Sequence, residues 1–250
     1  MRIISWNVNG LRACIRKGSF LDFIEKHNPD IICLQEMKAK EEDLTTILEQ
    51  FSQYHILLNP AEKKGYSGVA VFSKIKPNYV KKGKDSEGRI LELGFDNFTL
   101  FNVYFPNGQK NEERLNYKLN FYADLFEYIQ NLRKQGQDTV ICGDYNTAHQ
   151  EIDLARPKQN ENTSGFLRIE RDWLDKIIQM KYFDTFRYFN KDPENYSWWS
   201  YRFKARERNV GWRIDYFFVN EEFISKVIDA FILQDVLGSD HAPVGITLNS

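Results

Sequence analysis

The sequence predicts an α/β protein in which two mixed β-sheets pack face to face and helices cover their outer faces. Three observations lead there. About ten short apolar runs read as strands, and far fewer stretches carry helical periodicity. Residues 68–104 place several strands in direct succession, which demands antiparallel hairpins rather than the regular β–α alternation of one doubly wound sheet. Two stacked sheets are the economical way to bury that many apolar strands.

Taken in order, Ile3-Ile4-Ser5-Trp6 opens the chain as a strand and residues 19–27 follow as an amphipathic helix. Ile31-Ile32-Cys33-Leu34 is a buried strand, residues 41–51 a helix, and 55–58, 68–73, 90–95 and 98–104 further strands. The clearest helix spans 112–134, with Leu115, Leu119, Tyr122, Leu125, Phe126, Ile129 and Leu132 on one face. Thr139-Val140-Ile141-Cys142 is again a buried strand. A helix over 166–180 presents Ile169, Trp173, Leu174, Ile177 and Ile178, and strands at 212–219, 227–233 and 243–248 complete the set. Trp6 and Trp173 are expected in the core.

Composition bounds the rest. At about 150 residues per domain, 250 residues without a Gly/Ser/Pro-rich linker or a solenoid repeat are expected to form one domain over 1–250. With 42% hydrophobic and 15% aromatic residues, disordered and collagen-like chains are excluded. The 35 acidic and 34 basic residues leave a net charge of −1, which excludes a globally basic nucleic-acid binder but permits a local basic face. Cys14, Cys33 and Cys142 lack C-x-x-C spacing and suit a reducing compartment. No apolar run approaches the ~18 residues of a membrane span, and the start of the chain lacks a signal-peptide profile. A soluble cytoplasmic protein with no membrane partner is expected.

Chemistry is suggested by acids and amides placed just past apolar strands. Asn7 and Asn9 follow the first strand, Glu36 the second, and Asp144 and Asn146 follow Val140-Ile141-Cys142-Gly143. Asp240-His241 precedes the last strand. Strand ends at one rim of a sheet stack let polar groups from distant sequence converge without burying charge in the core. Glu and Asp offer hard oxygen ligands for Mg²⁺ or Mn²⁺, and Asn can orient a carboxylate or hold a phosphoryl oxygen. Asp215, an acid in an apolar strand, needs a partner, and His241 is a natural one. Singly, Gly143-Asp144 and Gly238-Ser239-Asp240 read as turns and Glu36 as a solvated strand end; the combination is what points to a site. His27, His55 and His149 have no acid partner suggested by spacing.

From 196 to 213, five bases (Arg202, Lys204, Arg206, Arg208, Arg213) stand against one acid, interleaved with three of the five tryptophans. Bases contact phosphates while aromatic faces stack on nucleobases or fill the space of a missing one. Lys63-Lys64, Lys81-Lys82-Lys84 and Arg156-Lys158 are weaker candidates for the same face.

Several of these residues lie in blocks that carry a resemblance. Ser5-Trp6-Asn7-Val8-Asn9-Gly10-Leu11-Arg12-Ala13, Leu34-Gln35-Glu36 and Tyr104-Phe105-Pro106-Asn107-Gly108 resemble motifs of the exonuclease III family of abasic-site endonucleases. So do Cys142-Gly143-Asp144-Tyr145-Asn146-Thr147-Ala148-His149, Glu151-Ile152-Asp153-Leu154, Asn209-Val210-Gly211-Trp212-Arg213-Ile214-Asp215-Tyr216 and Gly238-Ser239-Asp240-His241. The blocks follow family order from residue 3 to about 246, over essentially the whole chain. The resemblance implies the four-layer α/β sandwich of the endonuclease/exonuclease/phosphatase superfamily, in agreement with the strand count.

It also implies roles. Glu36 becomes the principal metal ligand, with Asn9 and Asp240 in or near the metal shell and Asn7 holding Asp144. Asp144 either activates the attacking water or protonates the leaving oxygen. Asn146 and Tyr104 contact the scissile phosphate, and Asp215 orients His241 against it. Trp198, Trp212 and Ile214 match the lining of a pocket for an extruded, base-less sugar; Asn107 and Asn160 match positions near the DNA backbone. Asn9 stands where some relatives carry Asp, which removes one anionic ligand. The implied enzyme is a monomeric Mg²⁺-dependent nuclease, with Mn²⁺ as substitute, that incises double-stranded DNA 5′ to abasic sites or trims blocked 3′ ends. The physics agrees: a phosphodiester repels nucleophiles by its own charge, which a divalent ion and protonated His241 neutralise. A sugar without a base has no stacking to lose on extrusion. The rival readings are a phosphoesterase of the same fold acting on inositol phosphates or lipids, and a catalytically silent DNA-binding module.

Overall fold

The computed structural model describes residues 1–249. The chain runs β1 (Arg2–Asn7), α1 (Leu11–Arg16), α2 (Ser19–His27), β2 (Ile31–Gln35), α3 (Thr45–Leu48), β3 (His55–Asn59) and β4 (Val69–Ser73). It continues through β5 (Tyr79–Lys82), β6 (Ile90–Gly94), β7 (Thr99–Tyr104), α4 (Glu112–Lys134) and β8 (Thr139–Asp144). Next come α5 (Pro157–Asn160), α6 (Arg168–Gln179), β9 (Tyr182–Asp184) and α7 (Thr185–Phe189). The last elements are β10 (Asp215–Asn220), β11 (Val227–Ile232) and β12 (Val244–Leu248).

Two six-stranded mixed sheets result, ordered β11-β12-β1-β2-β4-β3 and β5-β6-β7-β8-β10-β9. The period of two in each strand sorts side chains into layers. Ile3, Ile31, Cys33, Val69 and Val71 from one sheet meet Leu91, Leu100, Val140, Cys142 and Val219 from the other between the sheets. The alternate residues Ile4, Trp6, Ile32, Leu34 and Phe72 face outward and are covered by Phe20, Phe23 and Ile24 of α2. On the far side Phe101, Val103, Ile141 and Phe218 are covered by Tyr122, Phe126 and Ile129 of α4 and Leu174 and Ile177 of α6. This is the expected four-layer sandwich, built by residue parity. All three cysteines are buried and free, and no helix of the described residues is long and apolar enough to cross a membrane.

Some elements differ from expectation for local reasons. The strand expected over 212–219 begins only at Asp215, because Trp212 is drawn into single bridges with Leu154 and Trp198. The helix expected over 41–51 contracts to α3 and a short 3₁₀ turn at Glu49–Phe51; Asp43 and the paired threonines Thr45 and Thr46 have weak helix propensity. Strands β5 and β9 escaped the apolar pattern, being a lysine-bearing edge of four residues and a run of three. In α4 the N-terminal half buries Lys118 and Phe121 instead of Leu115 and Leu119. Likewise α6 buries Glu170 while Ile169 and Ile178 stay exposed. Both shifts have one cause: Lys118 Nζ donates to Glu170 Oε1 at 2.6 Å with both side chains fully buried.

Strand direction positions the site. β1 runs parallel to β2, and β7 parallel to β8, with Asn7 opposite Gln35 and Tyr104 opposite Asp144. β10 and β12 run antiparallel to these, so Asp215 starts its strand opposite Asp144 and His241 precedes Val244 at the same rim. At Gly143, φ is +143° and a Cβ would lie 1.8 Å from the Val103 carbonyl oxygen, so only glycine fits before Asp144.

Candidate active site

At that rim the two sheets are tied together by one side chain. Asn7 Nδ2 donates to Glu36 Oε1 and to Asp144 Oδ2, both at 2.9 Å. Its Oδ1 accepts from the Asn9 backbone at 3.0 Å. Below it, Gln35 Nε2 donates to Asn102 Oδ1 at 2.7 Å, and Asn102 Nδ2 donates to the carbonyls of Leu34 and Ala70. These buried bonds cross the sandwich and give the rim a fixed floor.

Asp144 accepts from the Asn146 backbone at 2.8 Å. Opposite it, His241 Nδ1 lies 2.9 Å from Asp215 Oδ2, and His241 Nε2 lies 3.9 Å from Asp144 Oδ2. Burial by itself would lower the His241 pKa, but Asp215 and then Asp144 outweigh it and raise it to about 10. Burial raises the pKa of Asp144 above the usual carboxylate range, against the pull of His241. Glu36 goes the other way: burial would raise it, but the Lys38 ammonium and the Asn7 amide hold it below its ordinary value. Asp240 is lowered despite burial, by His241 and by hydrogen bonds from Asn9 and Trp198. The phenol of Tyr104 is pushed up by burial and by the Glu36 and Asp144 carboxylates beside it.

The donor set suits a hard divalent cation. One polar atom each from Glu36, Asp144 and His241 lies within 4.8 Å of the others; with the imidazole protonated, the carboxylate oxygens are the ligands on offer. Asn9 Nδ2 donates to Asp240 Oδ1 at 3.0 Å, which leaves Asn9 Oδ1 free for a cation. The Lys38 ammonium takes that place, 2.7 Å from Glu36 Oε2 and 2.5 Å from Asn9 Oδ1. A positive charge is therefore already held where oxygen ligands converge. Asn9, Glu36, Lys38 and Asn146 all hold left-handed φ values of 46–52°. Strained backbone of this kind is sustained where the surroundings fix a side chain for use.

A cavity of about 860 Å³ opens from this cluster. Glu36, Tyr104, Asp144, Asn146, Asp240 and His241 line its floor, and Trp198, Trp212 and Ile214 form an apolar wall with Phe166 packed behind. Asn107 and Asn160 lie on the same cavity, and Asn107 Nδ2 donates to Asn146 Oδ1 at 3.0 Å. Trp198 Nε1 donates to Asp240 Oδ2 at 3.0 Å, which ties wall to floor. Asn7, Asn9 and Asp215 do not line the cavity but each bonds a residue that does. Every residue given a catalytic, metal-holding, orienting or pocket role by the resemblance thus falls in one neighbourhood.

The basic segment is split. Arg202 and Arg208 line the cavity. Arg213, read as a phosphate contact, is instead fully buried, pairing with Asp153 at 2.8 Å and Asp184 at 2.6 Å. Arg206 is spent on the backbone carbonyls of Ser239, Gln234 and Val236. Of the weaker candidates, Arg156 joins the cavity, whereas Lys81, Lys82 and Lys84 border a separate cleft beside α4. His149, left without a partner, pairs with Asp175 at 2.8 Å. Lys38, Arg89, Lys118, Ser197 and Ser239 were missed. Lys118, Ser197 and Ser239 find Glu170, Asp215 and the Asn7 carbonyl far along the chain. The near pairs Lys38–Glu36 and Arg89–Glu87 gain their meaning only from the distant Asn9 and Tyr104.

Comparison with known proteins agrees with this arrangement. The exodeoxyribonuclease of Bacillus subtilis (strain 168) is 46% identical over 255 residues, an alignment that covers 100% of both chains. The DNA-(apurinic or apyrimidinic site) endonuclease of Dictyostelium discoideum is 38% identical over 259 residues, covering 100% of this chain and 71% of that one. The solved AP endonuclease from Archaeoglobus fulgidus superposes with a TM-score of 0.90 at 27% identity, with 100% of each chain covered. The sequence profile described as the endonuclease/exonuclease/phosphatase family matches residues 4–241. With nearly the whole chain matched and the carboxylate–amide–histidine rim in place, the protein belongs to the endonuclease/exonuclease/phosphatase family.

Proposed function

We propose that the chain is a Mg²⁺-dependent DNA-repair nuclease that incises double-stranded DNA 5′ to an abasic site, with Mn²⁺ able to substitute. Its 3′-end trimming would use the same centre. The single observation that carries this reading is the convergence of the Glu36 and Asp144 carboxylates with the His241 imidazolium, their polar atoms within 4.8 Å of one another, at the foot of an apolar tryptophan wall.

Glu36, Asn9 and Asp240 hold the cation in this scheme. The bound ion supplies Lewis-acid stabilisation of negative charge on the phosphoryl oxygens. His241, kept cationic by Asp215, offers a second positive charge to a non-bridging oxygen. Asp144 is held by Asn7 and by the Asn146 amide with its carboxylate 3.9 Å from His241. Its raised pKa suits proton transfer near neutral pH, whether from the attacking water or to the leaving oxygen. Tyr104 and Asn146 fix the phosphate from the cavity floor. Trp198, Trp212 and Ile214 bound a space that accepts a bare sugar and turns away one bearing a base, so the low cost of extruding a base-less nucleotide becomes selectivity. Arg202 and Arg208 supply phosphate contacts that offset the chain's net charge of −1.

All of these side chains come from one chain, which supports a monomer with residues 1–250 as one catalytic unit. The three free thiols suit a cytoplasmic setting. The deciding assay uses one end-labelled duplex with a single internal tetrahydrofuran abasic analogue. Mg²⁺-dependent cleavage 5′ to the analogue is expected, abolished by chelation and in Asp144→Asn and His241→Ala. Binding without turnover, or turnover only of inositol phosphates, would overturn the reading.

A further inference from the structure

Behind Tyr104, on the side away from the cavity, sits a guanidinium that the chemistry above does not use. We propose that Arg89 is the positioning residue for the Tyr104 phenol in phosphodiester cleavage, an inference that rests on the nuclease reading.

Arg89 is only 1% exposed. Its guanidinium lies over the Tyr104 ring at 4.5 Å from the centroid. Its Nη1 donates to the Tyr104 carbonyl at 2.7 Å, and the Tyr104 amide donates back to the Arg89 carbonyl at 2.9 Å. One side chain therefore grips both the backbone and the ring of the same residue. Tyr104 is the last residue of β7, and the ladder to β8, which runs on only to the Phe105 amide on the Asp144 carbonyl at 2.9 Å, holds its backbone and not its ring. Arg89 takes over where the sheet stops.

The grip is itself braced. Arg89 Nε donates to Glu87 Oε2 at 2.5 Å, and Arg114 closes on the same carboxylate with bonds of 2.6 and 2.8 Å. The Asp85 carboxylate accepts from the Glu87 and Arg89 amides at 3.0 and 3.2 Å. Gly88, at φ +62°, would bring a Cβ within 2.5 Å of the Asn59 carbonyl oxygen, so the turn admits only glycine there. The same turn reaches Glu36: the Gly68 amide donates to the Glu87 carbonyl, and the Met37 amide donates to the Gly68 carbonyl at 3.0 Å.

Burying a guanidinium is costly unless every donor has a purpose, and an apolar side chain would fill the space without that cost. A planar cation stacked on a phenol restricts ring tilt in a way an aliphatic chain does not. Arg89 does not line the cavity, so it acts through Tyr104 and not on substrate.

The test is a double-substitution cycle on the full chain, with the labelled abasic duplex and Mg²⁺. Wild-type incision is measured first; its absence defeats the nuclease reading and not the clamp. Given incision, Arg89→Lys and Arg89→Met are expected to lower kcat about 10- to 100-fold with KM changed less than about threefold. In a Tyr104→Phe background the same Arg89 substitutions should change kcat less than about threefold, because aiming the phenol is the role assigned to Arg89. An Arg89 effect of full size without the phenol, or a wild-type kcat in Arg89→Met, overturns the proposal. Should neither Arg89 variant fold, Glu87→Gln decides: it leaves the stack in place but loosens its brace, and its smaller kcat loss must likewise vanish in Tyr104→Phe.

Discussion

Asp215 Oδ2 lies 2.9 Å from His241 Nδ1, and this contact makes a fixed cation of an imidazole that burial alone would leave neutral. The same oxygen accepts from Ser197 Oγ at 2.6 Å, while Asp215 Oδ1 has no partner among the described residues. The buried carboxylate is thus compensated through one oxygen, and the ring is held with Nε2 toward Asp144.

Asp215→Asn should uncouple charge from shape. The amide keeps the volume but removes the anion that sustains the imidazolium, so kcat for abasic incision should fall by about 10²–10³-fold. KM should move only a few-fold, since duplex contacts lie elsewhere. Steady-state kinetics check this; a fall in duplex affinity matching the fall in rate would contradict it.

Asn7 carries the second prediction, because its one amide nitrogen keeps Glu36 and Asp144 in register across the two sheets. Asn7→Ala leaves two carboxylates facing each other with no donor between them, and a buried acceptor left unpaired costs about 1–3 kcal/mol. We expect kcat to drop about 100-fold, since the Asp144 carboxylate is no longer aimed, and the urea midpoint to fall. Raising Mg²⁺ should recover part of the stability, by screening the pair, but little of the rate.

The bases of the tryptophan-rich segment separate into two functions that a salt titration can read. Arg208→Ala should weaken duplex binding and reduce the slope of log K against log salt by about 1. Arg206→Ala removes three bonds to backbone carbonyls, so it should lower the unfolding midpoint instead and leave the slope within error. Equal slopes for both variants would mean that Arg208 touches no phosphate.

That division marks what the sequence could and could not disclose. Asn7, Glu36 and Asp144 were legible because each ends or follows an apolar strand, and strand ends at one rim must converge; Tyr104 came only through the motif resemblance. His241 and Asp215 were legible because an acid inside an apolar run requires a counter-charge. Arg213 sits in the same basic run as Arg208, and composition cannot separate a phosphate contact from a buried ion pair. Its partners Asp153 and Asp184 lie 60 and 29 positions away. Lys118 escaped for the same reason, its acid Glu170 lying 52 positions away. Arg89 has Glu87 only two positions off, and it escaped because a basic turn looks solvated until the Tyr104 ring is placed against it.

The buried ion cluster around Arg213 yields the pH prediction. Burial alone would raise the Asp153 pKa, but Arg213 and then Arg187, each 2.8 Å away, bring it down to about 2. An ordinary Asp titrates near 3.9, so the depressed native pKa contributes stability that is complete above about pH 4. That stability is lost as pH falls through about 2, and on linkage it amounts to about 2–3 kcal/mol. Asp153→Asn should therefore be destabilised at pH 7, by about 3–5 kcal/mol once the poorly paired arginines are counted. The gap to wild type should narrow steadily below pH 4. Urea unfolding from pH 7 down to pH 2 measures it directly. A gap that stays constant across that range would mean that Asp153 is not the ionised partner of Arg213. Trp212 and Ile214 flank Arg213 in the chain, so the same variant should also loosen the apolar wall and reduce the preference for abasic over intact duplex.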